Sequence, residues 1–137
     1  MTTNAQIIDD ALREINVLNE VQNASSEQGE QSLRKLNQMM ELWKEDSLDV
    51  GWFEQADTTD TAPIPDYATT AVTLALAIRC ASQYGATVSQ ELIATADYAI
   101  SRLRRKLIKE KLDNTDMSHL PEGSGHWGNR YDITTDT

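Results

Sequence analysis

Between Tyr67 and Ala81 the chain offers almost no polar face. Tyr67, Ala71, Leu74, Ile78 and Ala81 recur at helical spacing, and Val72, Ala75, Leu76, Ala77 and Cys80 extend the apolar surface nearly all the way round. A helix of this kind is stable only when other elements cover it on several sides, so it belongs at the centre of a bundle or in a subunit interface. Asp66, just after Pro65, is the expected N-cap, and Gly85 is placed to stop the helix after Gln83 or Tyr84. The rest of the 137 residues must supply that cover, and a chain of this length suits one helical domain with its own core.

Three further segments carry the matching periodicity. Ile8, Leu12, Ile15 and Leu18 make one apolar stripe, which predicts an amphipathic helix from Thr3 to Asn19. Ser25 and Gln28 have capping-box spacing and open a second helix, in which Leu33, Leu36, Met40 and Trp43 form a seam while Arg34, Lys35, Gln38, Glu41, Lys44 and Glu45 occupy other faces. The fourth is capped by Thr87–Ser89 and runs to about Leu112. Its stripe is Leu92, Ala96, Ala99, Leu103 and Leu107, broadened by Ile93, Ile100 and Ile108. At 1.5 Å per residue it reaches roughly 36 Å, more than a domain this small needs for its own core, so part of it is expected to project. The expected fold is therefore all-α: an antiparallel four-helix bundle over residues 1–112, followed by an extended tail over 113–137.

Two stretches lack helical period. From Leu48 to Pro65 a low-complexity run with two prolines reads as a loop or extended arm. Trp52 and Phe53 near its start suggest a short strand or an apolar anchor, covering the bundle's own core or touching a neighbouring subunit. Met117 to Thr137 is polar and contains glycine, yet Leu120, Trp127 and Tyr131 are scattered along it. Fully extended it spans roughly 70 Å, far enough to reach another subunit.

Charge separates the chain into two parts. Residues 1–101 carry 5 Lys/Arg against 16 Asp/Glu, net −11, whereas residues 102–137 carry 7 against 6, net +1. An acidic body repels phosphates, which argues against ordinary DNA binding and would suit a channel wall that DNA slides past. Six of the twelve cations, Arg102, Arg104, Arg105, Lys106, Lys109 and Lys111, fall in the last turns of the fourth helix. They form either a patch for an acidic protein surface or a simple complement to the helix C-terminal dipole. Aromatic residues are not interleaved with these bases as a nucleic-acid groove would require.

Signals for chemistry are sparse. The one cysteine, Cys80, cannot form an internal disulfide and reads as a small buried side chain. His119 and His126 lack the partners and spacing of a zinc site. No phosphate-binding loop or Ser/His/Asp arrangement is present, and no cofactor or metal is expected. With 22 carboxylates, a glycosidase-like pair is possible by chance, but nothing singles one out. No apolar run approaches the roughly 20 residues of a membrane span, and Met1–Gln6 is unlike a secretory leader, so assembly in a reducing cytoplasm is expected.

Several pieces together resemble one family. Four helices in this order, the segment Leu36-Asn37-Gln38-Met39-Met40-Glu41-Leu42-Trp43, the Ala-rich third helix ending near Tyr84-Gly85, and Ile93-Ala94-Thr95-Ala96-Asp97-Tyr98 look like the tail accessory factors of short-tailed phages. Met117-Ser118-His119-Leu120-Pro121-Glu122-Gly123-Ser124-Gly125, followed by Asn129, extends the resemblance beyond the helices. It implies a non-enzymatic head-completion adaptor at the head–tail junction of the virion. Such an adaptor docks below the dodecameric portal and forms a ring of copies on it. It extends and closes the DNA channel, through which DNA passes at ejection, and offers a platform for downstream tail proteins. Under that reading the partner-binding residues are Arg102, Arg105, Lys106 and Lys109 on the fourth helix. In the tail they are Met117, Leu120, Pro121, Gly123, Ser124, Gly125, Trp127 and Tyr131, with the apolar residues as anchors. The alternatives are a peptidoglycan-cleaving virion hydrolase and a small DNA-binding regulator.

Overall fold

Local signals set most of the helix boundaries. The computed structural model describes residues 1–114, which form α1 (Asn4–Glu14), α2 (Ser26–Glu45), α3 (Thr69–Ala81) and α4 (Gln90–Asp113). The fold is all-α, and a lone bridge between Thr3 and Thr61 is the sole extended pairing among the described residues. The short strand that Trp52 and Phe53 suggest does not form. α2 starts as expected, with Ser25 Oγ accepting from the Gln28 N–H at 3.3 Å and Gln28 Oε1 accepting from the Ser25 N–H at 3.0 Å. Thr3 and Gln6 make the same reciprocal cap on α1. Ser89 caps α4 through the Leu92 N–H.

The start of α3 corrects the sequence reading. Asp66 is not its N-cap: it opens a 3-10 turn, Asp66–Ala68, that runs straight into the helix, and no side chain caps either element. The ends follow a common rule. α1 stops at Glu14 rather than Asn19, because Asn16 turns left-handed (φ 60°) and the Val17 N–H reaches back to the Leu12 carbonyl at 3.0 Å. Ser47 (φ 66°) does the same after α2, with Leu48 N–H on the Trp43 carbonyl at 2.8 Å. Gly85 (φ 63°) closes the turn after α3, with Ala86 N–H on Ala81 at 2.9 Å. Each is a Schellman closure, which satisfies carbonyls that a helix end would otherwise leave without donors.

α3 packs against α1, α2 and α4, as its all-round apolarity requires. Ala71 through Ala77 are all buried, and Ile7, Ile8, Ala11 and Leu12 from α1 and Leu33, Leu36, Met39, Met40 and Trp43 from α2 close the core around them. A fully buried Leu such as Leu36 or Leu76 contributes about 1.5–3 kcal/mol over its exposed state. The many alanines of α3 let neighbouring backbones approach closely. Cys80 is buried, and that burial pushes its thiol above the ordinary value, which disfavours the thiolate.

Residues 48–65 are a strap rather than a free arm. The Asn4 and Ala5 N–H groups, orphan donors in the first turn of α1, are taken up by the Asp60 carbonyl at 3.0 Å and the Thr58 carbonyl at 2.7 Å. Asn4 Nδ2 also donates to Gln55 Oε1 and to the Asp57 carbonyl, both at 3.0 Å. On α2, Asn37 Oδ1 accepts from Trp52 Nε1 (3.1 Å) and the Gln55 N–H (3.0 Å), while Asn37 Nδ2 donates to the Gln55 carbonyl (2.9 Å). Trp52 is thereby buried in the chain's own core, and Phe53 beside it stays exposed.

Candidate interaction surface

α4 shows the body one narrow face along its length, and its last turns stay beside it: Leu107, Ile108, Glu110 and Lys111 line a cleft with Ser47 and Asp49. Its inward stripe survives as read, with Ala96 and Leu103 buried and Leu92, Ala99 and Leu107 partly covered. Ile93 and Ile108, expected to broaden that stripe, are exposed instead, along with Tyr98 and Leu112. A helix turns 100° per residue, so only a narrow face of α4 meets α3, and no element among the described residues packs over the opposite face.

The cations expected to bind a partner lie on this exposed stretch and divide into two groups. Arg102 and Lys106 point into a cleft of about 370 Å³ between α4 and the entry to α3, lined also by Tyr67, Thr70, Tyr98 and Leu103. The Arg102 guanidinium stands 5.9 Å from the centre of the Tyr98 ring, and the Lys106 ammonium 4.9 Å from that of Tyr67. Such cation–π contacts are worth about 0.5–1 kcal/mol at exposed sites. Arg105 and Lys109 lie further round the helix, away from the cleft; Arg105 Nε donates to the Ser101 carbonyl at 3.4 Å. None of Arg102, Arg104, Arg105, Lys106 and Lys109 forms an ion pair among the described residues; the pairs seen there are Arg13–Asp10 and Lys44–Glu41. Met117, Leu120, Pro121, Gly123, Ser124, Gly125, Trp127 and Tyr131, like His119 and His126, lie outside the described residues.

Tyr67 holds this cleft together. Its hydroxyl donates to Glu110 Oε2 at 2.9 Å, tying the entry of α3 to the penultimate turn of α4. Partial burial and the neighbouring Glu110 carboxylate raise the phenol above its usual value, so it stays a neutral donor. Tyr98 stands four residues before Arg102, the spacing at which helical side chains meet. Tyr67 could be placed here only by the fold. Although two tyrosines do accompany the bases, their rings are already engaged by Arg102 and Lys106, which is unlike an open stacking platform for nucleic-acid bases.

No cleft among the described residues looks built for catalysis. Glu41, Glu45 and Glu54 line a groove on α2, but all three are exposed, and no Asp or Glu is buried anywhere among the described residues. A carboxyl acting as general acid needs a desolvated setting that holds its proton. Among the described residues no cluster of three or more His, Cys, Asp or Glu side chains could hold a metal ion, and no helix is long and apolar enough to cross a membrane.

The described residues thus form a helical body whose last helix exposes Arg105, Lys109, Ile108 and Leu112. The model of the P22 tail accessory factor family matches residues 1–137, and the chain belongs to that family. It is thus a structural accessory factor of a phage tail, associated with the virion. No match was found among the curated proteins.

Proposed function

We propose that this protein is a head-completion adaptor: it binds the portal vertex, assembles there as a ring of copies, extends the DNA channel and presents a platform to downstream tail proteins. The observation that carries the reading is α4, whose distal half exposes Arg102, Arg105, Lys106 and Lys109 beside the apolar side chains of Ile108 and Leu112. An acidic body with a cationic last helix gives the docking event two polarities, and such charges set register and association rate more than affinity. Affinity comes from a few buried anchors, for which Trp127, Leu120 and Tyr131 in the 113–137 segment are our candidates. Met117, Pro121, Gly123, Ser124 and Gly125 would shape that segment against the portal. In this division of labour residues 1–112 are the rigid adaptor core and residues 113–137 the docking segment. The acidic body repels the DNA that passes through the channel.

Light scattering on a sizing column, with the protein alone and after mixing with its cognate portal ring, tests the reading. A shift of the small free species into a ring-sized complex is expected, and absence of association at every ratio overturns it. Deleting residues 117–137 is expected to abolish portal binding with helicity unchanged; a truncated chain that still binds removes the docking segment from the mechanism.

A further inference from the structure

Two exposed surfaces of this chain complement each other and share no residue. The first is the outer face of the last turns of α4. Ile108 and Leu112, one turn apart, are 54% and 63% exposed, and Arg105 and Lys109 neighbour them. At 100° per residue they sit roughly 140° and 180° round the helix from Leu103, so the packing that buries Leu103 on α3 cannot cover them. The second is a groove on the outer side of α2, lined by Asn37, Gln38, Glu41, Leu42, Glu45 and Glu54. Leu42, one of the lining residues, is 45% exposed, and Phe53, adjoining Glu54, is 63% exposed. No cation lines this groove; Lys44 pairs with Glu41 at its margin, 3.7 Å away.

We infer that the distal end of α4 in one copy seats in the α2 groove of a second copy. Ile108 and Leu112 lie over Leu42 and Phe53, and Arg105 and Lys109 face Glu41, Glu45 and Glu54. One surface offers apolar side chains flanked by unpaired cations and the other offers them flanked by carboxylates, so the match is in both shape of charge and apolarity. All four apolar residues are exposed, so among the described residues neither surface is covered by the other in cis. Because the two surfaces differ, the contact is heterologous: repetition gives a ring if the rotation closes and a filament if it does not. Four apolar side chains bury too little area for a stable pair on their own. Copies held side by side on a template gain the contact at high effective concentration. The inference deepens the ring reading above and rests on it.

Disulfide trapping between copies is the test, using full-length chains with Leu42→Cys in one preparation and Leu112→Cys in the other; buried Cys80 is left in place. The two are mixed, oxidised at high protein concentration, and oxidised again on the portal ring. A disulfide between the two variants is expected in at least one sample, far exceeding that of either variant alone. Adding Glu45→Lys to the first variant lowers trapping by roughly tenfold or more, and Lys109→Glu in the second restores it. No trapping in either sample overturns the inference. So does a Leu112→Cys thiol that reacts with a soluble reagent only after residues 115–137 are removed, since the chain's own terminal segment would then cover this face. Portal binding is read separately by mass. Binding without trapping overturns the copy contact and leaves the adaptor reading in place; trapping without binding sustains the contact and removes the portal role.

Discussion

Nine of the 13 residues of α3 are buried, against two of the 24 in α4. Neither helix is short of apolar side chains, so what separates them is where those side chains point. In α3 they point in every direction, and three other helices are spent covering them. α4 keeps one narrow stripe for the body and places Ile108, Leu112 and its cations elsewhere. α3 is therefore helical because the tertiary fold makes it so, with Thr and Val among its residues and no side-chain cap to start it. α4 rests on local support: the Ser89 cap, a run of good helix formers from Leu103 to Leu112, and cations near the C-terminal end of the dipole. With two residues buried and Leu92, Ala99, Ile100 and Leu107 partly covered, α4 gives the core one stripe and leaves the rest of its surface to the proposed contacts.

The sharpest way to break this contrast is truncation at matched positions. Leu76→Ala in α3 is expected to cost about 2–5 kcal/mol, as large-to-small changes in a packed core do. Leu112→Ala at the far end of α4 is expected to cost less than about 0.5 kcal/mol. Denaturant midpoints for the two variants measure the difference, and comparable losses would mean that α4 belongs to the core after all. Next in size is the strap. Asn37→Ala strips the partners from Trp52 Nε1, the Gln55 N–H and the Gln55 carbonyl, of which the first two donate to a single oxygen. Leaving such groups without partners is expected to cost about 2–3 kcal/mol. Limited proteolysis should then open the chain between Phe53 and Thr61, whereas the wild-type strap resists. If the strap stays resistant, its hold comes from Trp52 packing and the α1 start instead.

The periodic elements were legible in the sequence for reasons tied to single residues. All-round apolarity placed α3 at the centre, Ser25 with Gln28 fixed the start of α2, Gly85 fixed the turn after α3, and the length of α4 exceeded what the body could cover. The misreadings are equally specific. α1 was read through to Asn19 because Ile15 and Leu18 continue its stripe, and both are indeed buried. A Schellman closure folds the chain back over the last turn, so apolar spacing persists while the helix does not. Asn16 is a residue type that tolerates the left-handed region, but Ser47 carries no such mark. Asp66 had the right identity for a cap, yet the 3-10 turn uses backbone carbonyls in its place. The strap has no local period because its partners lie on other elements, Asn37 of α2 15–18 residues away and the orphan N–H groups of α1 more than fifty. For the interaction surface, the cation cluster is legible in the sequence, while the Tyr98 and Tyr67 contacts and the exposure of Ile108 follow from how α4 is laid against α3.

A finer test concerns how the body's helices stop. Ser47 and Gly85 occupy equivalent left-handed positions, φ 66° and 63°, and no atom lies within 4 Å of where a Cβ on Gly85 would stand. The obstacle at Gly85 is therefore conformational, not spatial. Gly85→Ala is expected to destabilise by about 1 kcal/mol and Ser47→Gly to stabilise by about 0.5–1 kcal/mol, because glycine meets this conformation without the steric cost a Cβ incurs. Thermal midpoints moving in opposite directions confirm the pair. Two shifts of the same sign would show that the serine side chain makes a compensating contact.

The smallest expected effect lies where the two regions meet, at the hydroxyl of Tyr67 and the carboxylate of Glu110. Tyr67→Phe removes this hydrogen bond while keeping the ring beneath Lys106. Both groups are exposed, so global stability should fall by no more than a few tenths of a kcal/mol. The consequence is local: amide exchange over roughly the last two turns of α4 should quicken, while exchange in α3 stays the same, because the bond closes the end of α4 and not the core. The phenol's value is raised, by partial burial first and then by Glu110. A raised value means the neutral donor is favoured in the folded chain. Its contribution is complete below the ordinary tyrosine value near 10 and is lost as pH climbs through the raised one. Wild type should therefore come to resemble Tyr67→Phe only in that alkaline window. If instead α3 and α4 loosened together in the variant, the distal helix would be coupled to the core through Tyr67, and the division between a buried centre and an outward-facing arm would have to be redrawn at the 3-10 turn.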